Sequence, residues 1–302
     1  MKLTILGCHS ATPRTNTNPT SQVLEIKNHI FLIDCGEGTQ VELRRNKVKF
    51  SRIKHIFISH LHGDHYFGLI GLVNTFSLLT RETELHIYAP KGLKELITLQ
   101  MKLSGSWTNY PLIFHELESK SSELIYEDDK VEVHTIPLKH RIYTNGFFFK
   151  EKENERKLDI NLVNEANIDM AYYRKLKQGF DVVNEDGVLI SNEKVTKDAI
   201  PAKSYAFCSD TAYHEEIIPI IKNCTVLYHE STFLEKNENL CKPTRHSTAK
   251  QAATIAKKAN VGTLVLGHYS TRYNDYNEFK TEAQTVFNNV DLAKDGKAFN
   301  FD

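Results

Sequence analysis

Residues 60–65 form the run H-L-H-G-D-H, in which four of six side chains are of metal-binding type. The apolar run at residues 55–59 leads into it, so extended backbone places the first two histidines on one side. The glycine allows a turn, and a helix beginning there points the aspartate and the last histidine in another direction. Four ligands that point two ways predict two neighbouring metal ions, preferably zinc, with manganese as the alternative. A solvated loop would not require a strand that ends at this run.

Two metal ions need more ligands than this run supplies, so other strand ends must provide the rest. Three residues of ligand type each follow an apolar run that is predicted to be a strand, namely His140, Asp210 and His268. Taken singly, a residue of this kind is more often an ordinary polar group at a strand end than a metal ligand. Together with residues 60–65 they predict a metal centre at one edge of a sheet.

Short apolar runs between turn residues predict strands at 2–6, 22–26, 30–34, 55–59, 84–88, 131–136, 146–149, 204–208, 226–229 and 263–267. Amphipathic stretches predict helices at 39–47, 64–79, 92–102, 161–177, 215–222, 248–259 and 277–288. Capping-box spacing, Thr248 to Gln251, marks one helix start. This order predicts an α/β fold with two packed sheets and helices outside. The charged range 150–197 predicts an arm inserted into a single domain of residues 1–302.

Composition excludes several classes of function. The 302 residues carry 38 basic and 38 acidic side chains, so any nucleic acid must be bound by local basic patches. Five cysteines without C-x-x-C spacing indicate reduced thiols and a cytoplasmic location. The first residues are predicted to form a strand rather than a signal peptide. No apolar run reaches transmembrane length, so no membrane partner is expected.

The H-x-H-x-D-H run and the later candidate ligands resemble the metallo-β-lactamase superfamily. Within it, the chain is similar to the ribonuclease Z family of the short bacterial type. The similarity is carried by motifs at 6–14, 33–40, 175–179, 208–211, 229–233, 246–249 and 267–273. The H-S-T-A box at 246–249, the closing H-x-S-x-R-Y and the inserted arm narrow the resemblance to this family.

The resemblance implies an αββα sandwich, with two mixed sheets flanked by helices, and two zinc ions in each subunit. One zinc ion would be held by His60, His62 and His140. The other would be held by Asp64, His65 and His268, and Asp210 would bridge the two. The implied activity is a zinc-dependent phosphodiesterase that removes the 3′ trailer of precursor tRNA by endonucleolytic cleavage, leaving a 3′-hydroxyl on the tRNA.

The resemblance also suggests roles in catalysis. Asp64 would accept a proton from the attacking water, and His246 would protonate the leaving 3′ oxygen. Glu230 is expected to orient His246, with a purely structural hydrogen bond as the alternative. Arg272 is expected either to contact a substrate phosphate or to fix the loop of the last ligand through a salt bridge. Cys8 and His9 are predicted to be packing and structural residues.

In the family the inserted arm grips the body of the tRNA. Here Arg174, Lys175 and Lys177 are expected to contact its phosphates, and a plain solvated helix is the alternative reading. The chain departs from the family at residues 168–173, which replace a Gly-Pro-rich turn, and at residues 18–21, which replace an Arg-Asn pair. The resemblance also implies a homodimer in which one subunit's arm serves the other's site.

Three other functions share parts of this pattern. A glyoxalase II-like thioesterase or an arylsulfatase-like hydrolase would carry the H-x-H-x-D-H run, but the arm and the closing motif argue against both. A non-catalytic RNA-processing scaffold is the third, and the presence of all seven candidate ligands argues against it. Precursor tRNA is therefore the expected partner.

Overall fold

The computed structural model describes residues 1–12 and 14–301, so Pro13 of the motif at 6–14 lies outside the described residues. Strands are numbered in chain order. The first sheet has the order β18-β1-β2-β3-β4-β5-β6. Its strands are β1 Lys2–Gly7, β2 Ser21–Ile26, β3 His29–Ile33, β4 Ile53–Phe57, β5 Leu85–Pro90, β6 Leu112–Leu117 and β18 Ala298–Asn300.

The second sheet has the order β17-β16-β15-β14-β9-β8-β7. Its strands are β7 Leu124–Glu127, β8 Val131–Pro137, β9 Asn145–Glu151, β14 Ser204–Cys208, β15 Val226–Glu230, β16 Thr263–Gly267 and β17 Val290–Leu292. Both sheets are mixed: β3 to β6 run parallel, as do β14 to β17, while β1 with β2 and β9 with β14 pair antiparallel. Two further sheets have two antiparallel strands each: β10 Lys157–Leu158 pairs with β13 Thr196–Lys197, and β11 Val182–Val183 pairs with β12 Leu189–Ile190.

Eleven α-helices occur among the described residues. They are α1 Thr39–Arg45, α2 Gly63–Tyr66, α3 Leu69–Leu78, α4 Leu93–Ser104, α5 Ile160–Glu165, α6 Tyr173–Lys177, α7 Asn192–Val195, α8 Ile218–Ile221, α9 Cys241–Thr244, α10 Ala249–Lys258 and α11 Asn277–Gln284. Short 3-10 helices span Phe50–Arg52, Met170–Tyr172, Glu215–Ile217 and Glu235–Leu240. In the part of the chain that is described, no helix has both the length and the apolar character required to span a bilayer.

The main core lies between the two sheets. Phe31 and Phe57 of the first sheet meet Phe149 and Phe147 of the second, with ring centroids 5.3 Å apart in both pairs. Burial of each such ring contributes roughly 1.5–3 kcal/mol. A second core on the outer face of the first sheet is covered by α1, α3 and α4, and α10 packs on β15 and β16 outside the second sheet. The predicted αββα sandwich is confirmed.

The chain divides into two compact units, residues 1–150 with 204–302, and residues 151–203. The second unit has a small core of its own, formed by Val163, Ile168, Leu176, Val182 and Val195. The prediction of one continuous helix over 161–177 is wrong. Asn167 adopts a left-handed conformation, φ +51°, which ends α5 well before α6 begins.

All ten predicted strands are present, and the capping box is confirmed. Thr248 Oγ1 accepts from the Gln251 amide and Gln251 Oε1 accepts from the Thr248 amide, both at 3.1 Å. The predicted helix 64–79 is interrupted between α2 and α3. A Cβ on Gly68 would lie 2.2 Å from the Gly36 carbonyl oxygen, so glycine allows the two segments to approach. Asp64 and His65, two of the candidate ligands, lie in α2 shortly before this break.

Candidate metal centre and active site

The seven candidate ligands lie beyond the carboxyl ends of four strands. The run at 60–65 follows β4, and α2 begins at Gly63 within it. His140 follows β8, while Asp210 and His268 follow the parallel strands β14 and β16. Asp210 and His268 have φ of +57° and +59°, so the chain turns sharply directly after each strand. The structure brings the ligand atoms into two groups, each spanning at most 4.8 Å: His60, His62, His140 and Asp210, and Asp64, His65 and His268.

The first group is three imidazoles whose ring nitrogens converge. His62 Nδ1 lies 3.0 Å from His60 Nε2 and 3.2 Å from His140 Nε2. Ser59 Oγ donates to Asp34 Oδ2, so it must accept from His60 Nδ1, 3.0 Å away. His140 Nδ1 similarly donates to the Arg245 carbonyl oxygen at 3.1 Å. Both Nε2 atoms therefore present lone pairs to the same point, an arrangement that suits a bound cation.

The second group is oriented in the same way by hydrogen bonds behind it. His65 Nδ1 donates to Asp34 Oδ2 at 2.7 Å. His268 Nδ1 donates to Thr232 Oγ1 at 2.9 Å, because that hydroxyl itself donates to a carboxylate. The Nε2 atoms of both histidines are buried and have no hydrogen-bond partner. These two buried ring nitrogens lie beside the Asp64 carboxylate, 3.4 and 3.8 Å from its Oδ2, an arrangement that suits a second cation once His65 Nε2 has given up its proton.

Asp210 lies between the two groups and turns one oxygen toward each. Its Oδ2 is 3.6 Å from His60 Nε2 and 3.8 Å from His140 Nε2. Its Oδ1 is 3.3 Å from His65 Nε2 and 3.1 Å from His268 Nε2. One carboxylate can thus serve both groups, as a bridging ligand must.

Burial and neighbouring charges set the protonation of these side chains, and most of the resulting forms suit cation binding. Burial favours a neutral Asp210 carboxyl, but the imidazoles of His268 and His65 more than offset it and hold its pKa well below the ordinary value. Burial keeps the pKa of His60 well below its ordinary value and lowers the pKa of His140 to about 4. Burial also opposes a charge on His65, yet Asp210 and Asp34 raise its pKa well above the ordinary value. A cation at His65 Nε2 would displace that proton.

A histidine and a glutamate form a hydrogen-bonded pair beside the centre. Glu230 is fully buried and accepts from His246 Nδ1 at 2.7 Å, from the Thr211 amide at 3.0 Å and from the Thr232 hydroxyl at 2.7 Å. Burial opposes protonation of His246, but the charge and hydrogen bond of Glu230 prevail and raise its pKa to about 9. The His246 ring lies 5.2 Å from the His268 ring. The Glu230 carboxylate therefore favours the protonated form of His246 beside the ligand groups.

The sequence similarity to known proteins extends over nearly the whole chain. Ribonuclease Z of Bacteroides thetaiotaomicron is 46% identical over 294 residues, which cover 97% of this chain and 93% of that protein. Ribonuclease Z of Cytophaga hutchinsonii is 44% identical over 299 residues, covering 99% and 95%. The chain belongs to the ribonuclease Z family. The fold and its His/Asp groups indicate a centre for divalent metal.

Solved structures agree with this family assignment. The short form of human tRNase Z matches with a TM-score of 0.73 and 26% identity, covering 99% of both chains. The Bacillus subtilis metallo-β-lactamase fold protein YhfI, at 18% identity and a TM-score of 0.69, shows the same fold. Residues 1–170 also match the family model described as Anti-Pycsar protein Apyc1, to which this part of the chain therefore also belongs. That match ends before Asp210 and His268, whereas the ribonuclease Z relatives extend past both.

The predicted phosphate-binding residues of this family member are exposed. Arg272 lies on the turn after β16, and its backbone amide contacts Ser270 Oγ at 3.3 Å. That turn is fixed by a different arginine, because Arg14 donates to the carbonyl oxygens of Thr271 and Tyr273. The other three predicted residues, Arg174, Lys175 and Lys177, are exposed on α6 in the second compact unit.

Asp34 is the main site residue that sequence reasoning missed in this ribonuclease Z-family chain. Its carboxylate is fully buried at the end of β3, where it accepts from the Ser59 amide at 2.7 Å and from His65 Nδ1. It therefore orients the His65 ring from behind. The signal was present, since Asp34 also follows an apolar run, but nothing local distinguishes a ligand from a residue that supports one.

We expect Asp34→Asn to weaken metal binding about 10–100-fold, because a neutral amide holds the His65 ring less firmly. Asparagine tolerates the positive φ of residue 34, +56°, so the fold should persist. Competition with a chromophoric chelator measures the affinity, and Asp129→Asn, at an exposed carboxylate, is the control. Equal affinity of wild type and Asp34→Asn would show that Asp34 does not tune this centre.

Proposed function

We propose that this chain is an endoribonuclease that removes the 3′ trailer from precursor tRNA and leaves a 3′-hydroxyl on the tRNA. The observation that carries the proposal is the convergence of two ligand groups on the two oxygens of Asp210. It occurs in a chain that is 46% identical to a ribonuclease Z over almost its whole length. Paired cation sites suit in-line attack on a phosphodiester.

Two zinc ions per subunit are the proposed occupants, with manganese as the alternative. His60, His62 and His140 would hold one, Asp64, His65 and His268 the other, and Asp210 would hold both. Imidazole and carboxylate ligands suit these metals. The bound cations supply Lewis acidity, which acidifies a water molecule and balances the charge of the phosphodiester.

Residues of this chain then accept and donate the protons that the reaction moves. Asp64 is ionised, because the His65 and His268 imidazoles overcome the effect of its burial and lower its pKa, so its carboxylate can accept a proton from the attacking water. As the new P–O bond forms, the bond to the 3′ oxygen of the tRNA breaks. His246, protonated and held by Glu230, gives its proton to that oxygen. The products are a tRNA with a 3′-hydroxyl and a trailer with a 5′-phosphate.

A cavity of about 560 Å³ beside the first ligand group offers room for the substrate. It is lined by His62, Leu61, Ile142, Tyr143 and Lys91, among others. Its volume lies within the usual range for small-ligand sites, and the Tyr143 ring offers a stacking face for a base. Lys91 is paired at 3.0 Å with Glu118, which also lines the cavity, so a nucleotide phosphate would have to compete with that carboxylate. We assign this cavity to nucleotides next to the cleaved bond.

Incubation of the purified chain with a 3′-extended precursor tRNA tests the proposed function. Wild type and Asp129→Ala should release the trailer after the discriminator base, and Asp64→Ala should not. Mapping both product ends identifies the 3′-hydroxyl. Failure of all three proteins on tRNA, together with hydrolysis of a thioester or sulfate ester, would favour the other hydrolases. Failure on every substrate with full metal loading would favour a scaffold.

The second compact unit, which contains the predicted arm 150–197, is proposed to bind the body of the tRNA. On α6, Leu176 is buried in the unit's core while the flanking Arg174, Lys175 and Lys177 face solvent. The Lys175 ammonium lies 5.7 Å from the centroid of the Tyr172 ring. A firmly anchored helix that presents three cations suits phosphate contacts.

We expect the triple variant Arg174→Ala, Lys175→Ala and Lys177→Ala to raise KM for precursor tRNA and leave kcat for a small phosphodiester unchanged. Loss of up to three phosphate contacts should reduce the slope of log affinity against log salt by about 2–3 units. Lys194→Ala, an exposed lysine of the same unit, is the control. An unchanged salt slope would indicate an ordinary solvated helix.

A homodimer is proposed because large apolar side chains are exposed side by side. Phe67, Leu96 and Leu99 are 55%, 41% and 51% exposed and line one surface depression. Leu103 on the same helix, α4, is 79% exposed. Patches of this kind commonly form subunit interfaces. We also propose a cytoplasmic location, since all five cysteines are free and buried.

We expect Leu99→Glu to convert the dimer into monomers, because a carboxylate would be buried without a partner in the interface. Sedimentation velocity measures the change. Leu124→Glu, which alters an exposed leucine on β7, should remain dimeric. A wild type that sediments as a monomer, or a Leu99→Glu variant that stays dimeric, would reject this surface as the interface.

A further inference from the structure

A third group of metal-ligating side chains lies outside the centre described above. Cys8 and His9 follow β1, and Asp295 lies in the turn that leads to β18. Cys8 Sγ, His9 Nδ1 and Asp295 Oδ1 all lie within 4.8 Å of one another. Cys8 is fully buried and His9 is 6% exposed, while the Asp295 side chain is 15% exposed. The group therefore offers three kinds of metal ligand: one thiol, one imidazole and one carboxylate.

Two of the three distances between these atoms match the edges of a coordination tetrahedron, and the third is slightly longer. Zinc bonds of the usual lengths to sulfur, nitrogen and oxygen place the ligand atoms about 3.4–3.6 Å apart. Here Asp295 Oδ1 is 3.4 Å from Cys8 Sγ and 3.4 Å from His9 Nδ1, and Sγ lies 3.9 Å from Nδ1. The three side chains therefore have the correct spacing to bind one cation with little movement.

Hydrogen bonds around the group fix its carboxylate and leave His9 Nδ1 without a close partner. Asp295 Oδ2 accepts from the Asn18 amide at 2.7 Å and from its side chain at 3.2 Å, which fixes the carboxylate. Asp295 Oδ1 accepts from the Cys8 amide at 3.2 Å and from the Cys8 thiol at 3.4 Å, so a bound cation would take the place of the thiol proton. His9 is buried, and its Nδ1, the ring nitrogen that faces Sγ and Oδ1, has only these long contacts.

We propose that Cys8, His9 and Asp295 form a further, structural site for a zinc-class divalent cation, separate from the proposed catalytic pair. One thiolate, one imidazole and one carboxylate, with water in the fourth position, suit zinc. The site goes beyond the proposed nuclease function, because none of its three side chains is among the seven ligands of the centre.

The position of the site suggests what the cation would stabilise. The Cys8 carbonyl oxygen accepts from the His268 amide at 2.8 Å and from the Tyr269 amide at 3.3 Å. His9 also forms a β-bridge with Tyr269. A cation that joins residues 8 and 9 to Asp295 would hold the end of β1 in place. That segment in turn supports the loop carrying His268.

Cobalt substitution of the full chain tests the proposal. Among residues 1–12 and 14–301, the other groups of metal-ligating side chains contain no cysteine, so a sulfur-to-cobalt charge-transfer band in the near ultraviolet would report this group alone. Titration of chelator-treated protein with Co²⁺ should produce the band. Cys8→Ser should abolish it and lower the bound metal by one ion per chain, while Cys224→Ser, another buried cysteine, should retain both.

Wild-type protein that binds Co²⁺ without this band, or a band that persists in Cys8→Ser, would overturn the proposal. If Cys8→Ser does not fold, Asp295→Asn decides instead. This variant keeps the thiol and the shape of the carboxyl group, so the band should remain. The Co²⁺ concentration that gives half of the full band should rise about tenfold or more. An unchanged titration would overturn the proposal. These readouts need no tRNA, so they stand apart from the test of the nuclease.

Discussion

Replacement of Asp210 by Asn is expected to lower the rate of precursor tRNA cleavage about 10³-fold or more, which corresponds to roughly 4 kcal/mol. The carboxylate faces four Nε2 atoms from both groups, two on each oxygen. An amide offers only one acceptor oxygen and no negative charge, so it cannot serve both groups. Asparagine tolerates the positive φ of this residue, +57°, and can still accept from Ser209 Oγ.

Single-turnover cleavage and elemental analysis of bound metal measure this effect. The variant should lose metal as well as activity, whereas Asp129→Asn should keep both. Full cleavage by Asp210→Asn, or lost cleavage with unchanged metal content, would contradict a bridging role. Circular dichroism should confirm that the variant is folded, since Asp210 lies in a tight turn between β14 and the next segment.

Replacement of His246 by Ala is expected to lower kcat for precursor tRNA by about 10²–10⁴-fold, the usual contribution of a positioned general acid. Metal content should stay normal, because the two ligand groups are complete without this residue. An aryl phosphodiester with an acidic nitrophenol leaving group needs little protonation, so its hydrolysis should fall far less. Equal losses on both substrates would show that His246 acts in some other way than as an acid.

The pH dependence gives an independent check on this role. A general acid works only while protonated, so wild-type activity should decline as pH rises through the pKa of His246, which Glu230 raises to about 9. Glu230→Gln removes the charge that stabilises the cation, so the decline should move to lower pH. His246→Ala should lack this decline altogether. A wild-type profile that stays flat up to strongly alkaline pH would contradict the assignment.

Local patterns in the sequence were sufficient for ten strands and for the candidate ligands, but they missed the strands at the edges of both large sheets, β6, β7, β17 and β18. Short apolar runs indicate strands. Parallel strands have their carboxyl ends at the same edge of a sheet. A titratable residue directly after such a run, such as His140 or His268, can therefore be assigned to that edge without coordinates. The helix predicted over 161–177 failed because its apolar spacing was followed through two residues that favour turns and caps. Asn167 is left-handed, and Asp169 Oδ1 accepts from the Ala171 amide where the next helical segment begins.

Contacts between distant segments were decided only by the tertiary structure. The tautomers of His65 and His268 depend on Asp34 and Thr232, which lie 31 and 36 residues away. The pairing of Cys8 with Asp295 spans 287 residues. Sequence patterns report which face a side chain occupies, because that follows from the local backbone. They do not report which atom of a distant segment that side chain contacts, because the packing of whole sheets determines the hydrogen-bond partners.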